Sequence, residues 1–151
     1  MHVETPPAAD RIHAAFAGHG KRAALMPYLM GGYPSLEASR DAGLAAADSG
    51  ADLLELGIPF SDPLADGPVI HAAGTKALRA GVTPRWVLEV ANALSERVPV
   101  VLMVYANLVH GHDAFLEQAA AAGVAGLIVP DGVFLEARCG GGHHRRRDPA
   151  W

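Results

Sequence analysis

The sequence predicts an α/β fold whose strands pair in parallel, and three observations carry that prediction. Short apolar runs alternate with longer segments in which apolar residues recur at helical spacing. The short runs are apolar at nearly every position, as strands are when helices cover both faces of their sheet. The chain also repeats itself: AADSGADLLELGIP at 46–59 and AAAAGVAGLIVPDG at 119–132 both pass from an alanine-rich helix end through glycine into an apolar strand. Each is one step of a βα repeat.

The elements follow in order. Ile12 and Phe16 lie four apart within 9–17, the spacing of one helix face, ahead of a break at Gly18 and Gly20. Residues 23–30 form the first apolar run, ended by Gly31-Gly32-Tyr33-Pro34; Ser35 then offers an N-cap for a helix to about 49, which Gly50 stops. The second run, 52–58, leads into PFSDPLADGP, whose prolines exclude both ladder and helix. A helix over 69–80 closes at Gly81, and Thr83 caps another over 84–97, with Pro84 in the first turn where its missing N–H is harmless. Trp86 is expected to pack from a face of that helix. A third strand, 98–104, precedes a polar loop; Asp113 caps a helix to 122, Gly123 closes it, and 124–129 is the fourth strand.

Composition narrows the function classes. Half of the 151 residues are apolar, and 16 Asp and Glu against 12 Lys and Arg give a formal charge of −4, which describes a folded single domain rather than a disordered chain. The single Cys139 excludes an intramolecular disulfide, so a reducing compartment suits the chain. The mild negative charge offers no electrostatic footing for nucleic acid or an anionic membrane. The longest apolar stretch, 98–109, falls short of the roughly 20 residues of a spanning helix. The N-terminal MHVETPPAADRIH lacks the basic start and apolar run of a signal peptide, so cytoplasmic residence is expected.

Two carboxylates stand out. Aligning Gly50 with Gly123 sets Glu55 against Ile128, so a charged group takes a place that the sister unit gives to an apolar side chain. That is costly unless the group is paired or protonated. Glu55 lies near the C-terminal end of its strand, where α/β sheets and barrels carry their sites, with Leu54 and Leu56 on the opposite face. Alone it reads equally well as a salt-bridged structural carboxylate. Asp66 adds a second carboxylate from the loop at the same end, and two at one mouth can be held at different pKa values, one as acid and one ionised. Asp62 competes for that place, and spacing does not rank the two. His71, His110 and His112 suggest a metal, but His110 and His112, two apart in a loop without Cys or carboxylate partners, read as solvated. Gly31-Gly32 lacks the third glycine of a dinucleotide loop, and Tyr105 by itself is an ordinary strand-end aromatic.

LELGIPFSDPLADGP, together with LMVYANLV at 102–109 and MPYLMGGYPS at 26–35, resembles the signatures of the tryptophan synthase alpha chain family, over about 20–131. The resemblance implies a (β/α)8 TIM barrel, of which this chain holds about the first four βα units as an N-terminal half over 1–131. It also implies retro-aldol cleavage of indole-3-glycerol phosphate to indole and glyceraldehyde 3-phosphate, a lyase reaction of tryptophan biosynthesis. On it, Glu55 matches the general acid/base that protonates the indole carbon bearing the side chain. Asp66 matches the carboxylate that accepts the indole N–H and steadies the developing positive charge. Tyr105 matches an active-site tyrosine, Tyr28 (a position often Phe in the family) and Met103 match apolar pocket walls, and Asp131 matches a further substrate-proximal position. Asp62, Pro63 and Asn107 match positions facing the beta chain of an alpha2beta2 tetramer. That beta chain carries pyridoxal phosphate and receives indole through a tunnel; no cofactor or metal is expected on this chain.

The pattern breaks after Asp131. Residues 1–132 carry 14 acidic and 8 basic side chains, a balance of −6, whereas 133–151 carry 2 and 4, a balance of +2, which together give −4. GVFLEARCGGGHHRRRDPAW has neither helix nor strand period, so 132–151 is expected to be an aberrant tail, frameshifted or disordered, rather than a metal site or anion patch. A full barrel of this class takes about 250 residues. The resemblance puts the phosphate-binding loops in the later units, and four units leave two open parallel edges, so weak turnover is expected of these residues taken alone. The alternatives are a catalytically dead fragment that binds the beta chain, another phosphate-handling barrel enzyme, and a product that never folds.

Overall fold

In the computed structural model of the chain, residues 8–18, 20–64, 66–110 and 114–132 are described. A leading helix α1 (Ala8–Gly18) precedes β1 (Tyr28–Met30), α2 (Leu36–Asp48), β2 (Leu54–Gly57), α3 (Pro68–Arg79), α4 (Pro84–Ser95), β3 (Val100–Met103), α5 (Ala106–His110), α6 (Phe115–Ala121) and β4 (Gly126–Ile128). The strands form one parallel sheet in the order β1-β2-β3-β4. The described residues thus hold three complete βα units and the strand of a fourth. Asp113 as a helix cap, His112, Cys139 and the tail from 133 lie outside them.

Local chemistry sets the element ends. The Ala38 amide donates to Ser35 Oγ (3.0 Å) at the start of α2, and the Trp86 amide to Thr83 Oγ1 (3.4 Å) at the start of α4. Gly50 and Gly123, equivalent in the internal repeat, both take a left-handed turn out of a helix, with φ of 95° and 72°. Strand β1 is shorter than the apolar run 23–30, because Pro27 has no N–H to give a ladder. The run still pairs through its carbonyls: Leu25 accepts from the Asp52 amide (2.9 Å) and Pro27 from the Glu55 amide (3.0 Å). The loop expected after the third strand contains the short helix α5, whose first amide, that of Ala106, donates to Asp131 Oδ1 (2.8 Å).

The core is the layer between the sheet and its helices. Leu54, Leu56, Val100, Leu102 and Val104 are fully buried there against Val87, Leu88, Ala91 and Leu94 of α4 and Phe115 and Ala119 of α6. Trp86 is not part of it: the buried stripe of α4 runs through Val87, Leu88, Val90, Ala91 and Leu94, which turns Trp86 outward to 40% exposure. Helix α1 closes the opposite, N-terminal end of the sheet. Ile12 lies over Gly126, where an added Cβ would stand 2.9 Å from its Cδ1. The Arg11 guanidinium donates to the carbonyls of Gly123 (2.9 Å) and Ser95 (2.7 Å), which belong to the C-terminal ends of α6 and α4.

Candidate active site

Parallel strands place the loops 58–67, 104–105 and 129–132 at one end of the sheet. Below them, on the face turned away from α4, the register aligns Tyr28, Glu55, Val101 and Gly126 in one row and Met30, Gly57, Met103 and Ile128 in the next row toward the loops. Glu55 therefore has Gly126 as its lateral counterpart in β4, not Ile128. The repeat alignment is displaced by one inward-facing step because neighbouring strands of a barrel-forming sheet are staggered, and a displacement of two residues preserves the face.

Glu55 is half-buried, and that burial raises its carboxyl pKa above the usual carboxylate value. Its register neighbour Tyr28 is also half-buried. Burial first, and then the negative charges of Asp66 and Glu55, push the Tyr28 phenol upward, so it stays protonated at any physiological pH. The Tyr28 side chain crosses onto β2, where a Cβ on Gly57 would come within 2.0 Å of the phenol oxygen. Gly57 is the gap in β2 that admits this ring. Tyr105, 1% exposed, stacks on Phe60 with ring centroids 4.8 Å apart and reaches Asp66 Oδ1 through a long hydroxyl contact of 3.5 Å. Asp66 is thereby held close enough to Tyr28 for its charge to act on the phenol.

Tyr28, Glu55, Asp66, Met103 and Tyr105 thus meet at one mouth, with Met103 buried on the same inner face. The two loop carboxylates that spacing left level have different surroundings: Tyr105 reaches Asp66, whereas Asp62 is exposed and accepts from Ser61 Oγ (2.6 Å). Asp131 is exposed and holds the Ala106 amide, tying the β3 and β4 loops together. Asp62 and Asn107 are exposed and Pro63 is partly exposed, all on the mouth loops or beside them. His71 and His110 are exposed, and no group of three His, Cys, Asp or Glu among the described residues is placed to hold a metal ion. Gly57 and Phe60 escaped the sequence analysis. A glycine two residues after Glu55 on the same strand face was the available signal for the first; the stacking of Phe60 left none.

A parallel βα sheet with a half-buried carboxyl on its inner face, and a second carboxylate in the loop above, defines the half of a TIM barrel that carries a site at the C-terminal mouth. Comparison with known proteins makes this specific. The chain belongs to the tryptophan synthase alpha chain family, lyases of tryptophan biosynthesis, whose family model matches residues 15–138. It is 51% identical over 124 residues to the tryptophan synthase alpha chain of Methanopyrus kandleri, covering 81% of this chain and 45% of that one. It is 52% identical over 114 residues to the one of Synechococcus sp. strain CC9902, covering 73% and 42%. Among solved structures, the aminoacrylate-bound form of tryptophan synthase from M. tuberculosis superposes with a TM-score of 0.76 at 43% identity, over 85% of this chain and 54% of that one. The alpha chain from Legionella pneumophila gives 0.72 at 36% identity, over 84% and 49%. The chain spans a little under half the length of the curated relatives it matches.

Proposed function

We propose that this chain carries the acid/base half of an alpha-chain site that cleaves indole-3-glycerol phosphate to indole and glyceraldehyde 3-phosphate. The observation behind it is a half-buried Glu55, its pKa raised by burial, at the same mouth as Asp66, which Tyr105 contacts and whose charge, like that of Glu55, acts on Tyr28. In the retro-aldol step Glu55 delivers a proton to the indole carbon bearing the glycerol side chain, which makes the ring an electron sink. The bond to the side chain then breaks as the side-chain hydroxyl passes its proton to the Glu55 carboxylate, restoring the acid, and becomes the aldehyde. Asp66 accepts the indole N–H and offsets the positive charge that gathers there, which a neutral group could not do as well. Tyr28, Met103 and Tyr105 wall the ring. Asp131, linked to Ala106, lies at the substrate-proximal rim. Asp62, Pro63 and Asn107 present a surface to a beta chain, to which pyridoxal phosphate chemistry belongs; this chain itself needs no cofactor.

Single-turnover assays with the chain in excess, with and without a tryptophan synthase beta chain, test the reading. Any indole released should fall at least about a hundredfold in Glu55→Gln and in Asp66→Asn, the scale of lost acid/base or electrostatic catalysis. Indole release that persists in Glu55→Gln would overturn the assignment. Capture by the beta chain without binding of indole-3-propanol phosphate would favour a docking module instead.

A further inference from the structure

We propose that the Tyr28 hydroxyl is a specificity-determining hydrogen-bond donor, directed at the glycerol hydroxyls of the ligand rather than at its indole ring or its phosphate. The inference rests on the lyase reading above and assigns Tyr28 a polar task where its ring alone would make an apolar wall. Its position comes first: the phenol oxygen lies over Gly57, one inward step nearer the mouth than Glu55 on the same strand. Among the described residues the hydroxyl also lacks a good acceptor. Its hydrogen-bond partner is the thioether sulfur of Met30 at 4.0 Å, a weak acceptor at full stretch.

A half-buried hydroxyl so poorly paired forgoes hydration for little return, unless a ligand brings an oxygen to it. The ligand's parts then sort themselves by chemistry. Indole offers a donor N–H and no acceptor lone pair in its plane, and in this reading Asp66 takes that N–H. A phosphate would carry its charge close to Asp66, whose negative charge already acts on the Tyr28 phenol, and like charges repel. Glycerol hydroxyls are neutral and accept hydrogen bonds. With burial, and then neighbouring negative charge, holding its proton in place, the phenol serves as a donor only and does not compete with Glu55 as an acid or base.

The test uses the full chain in a Glu55→Gln background, where ligand is not consumed, and measures binding of indole-3-glycerol phosphate and of indole-3-propanol phosphate, which lacks the glycerol hydroxyls. Adding Tyr28→Phe should weaken the first roughly three- to tenfold, the value of one hydrogen bond, and leave the second unchanged. Equal weakening of both ligands would make the tyrosine a packing or phosphate contact, and no change in either would leave its hydroxyl idle; each overturns the proposal while the lyase reading stands. Failure of the Glu55→Gln chain to bind either ligand would overturn both. Retained binding of indole-3-propanol phosphate in the double variant shows that the site is still folded.

Discussion

Glu55 sits on a strand whose alternate residues, Leu54 and Leu56, are fully buried in the helix-facing core, so its own side chain has no choice but the inner face. Burial there disfavours the charged form. A carboxyl whose folded pKa lies above its unfolded value gives its most favourable contribution below the ordinary value of 4.5, and that contribution is lost as pH rises through the raised folded value. Glu55→Gln should therefore melt at a higher temperature than the parent at pH 8, with the difference closing as pH falls below 4.5; thermal scans across that range check it, and equal melting at pH 8 would contradict a desolvated carboxylate. Gly57 invites a second substitution. In Gly57→Ala the new methyl meets the Tyr28 hydroxyl at 2.0 Å, and overpacking of this kind costs about 1–3 kcal/mol in urea unfolding. The cost should shrink in a Tyr28→Phe background, since the two side chains share the conflict.

Among the elements, α1 is tied to the rest by Arg11, which donates to carbonyls at the C-terminal ends of both α4 and α6, where the helix dipoles favour a cation. Arg11→Ala should lower stability by about 1–2 kcal/mol and raise hydrogen exchange in α1 before it does so in α4; unchanged exchange in α1 would show that Ile12 against Gly126 suffices. The helices of the outer layer were largely legible in advance. Ser35, Thr83, Gly50 and Gly123 act within one turn of their own positions, so local chemistry decides them. The strand lengths were less legible, because a ladder needs donors from a neighbour and Pro27 removes one. Trp86 was misplaced because the phase of α4 is set by which stripe meets the sheet, and the aromatic lay one residue off it.

At the scale of the molecule, the described sheet is open. Strands β1 and β4 each have one edge without a partner strand among the described residues, and Ile128 on β4 is 37% exposed. Exposed parallel edges beside apolar side chains template association. Sedimentation should show concentration-dependent self-association of the 151-residue chain, reduced by Ile128→Lys; a monomer at every concentration would mean that the edges are covered. The βα repeat, the parallel pairing, the face occupied by Glu55 and the family resemblance were determined by the sequence, because periodicity, caps and a contiguous signature are local properties. Tertiary structure alone decided that Tyr105 reaches Asp66 while Asp62 accepts from Ser61, that Gly126 and not Ile128 lies level with Glu55, and that Gly57 makes room for the Tyr28 ring. Each of those depends on the stagger between strands and on the path of a proline-rich loop anchored by Phe60 and Tyr105, and contacts between distant parts of a chain cannot be read from spacing along it.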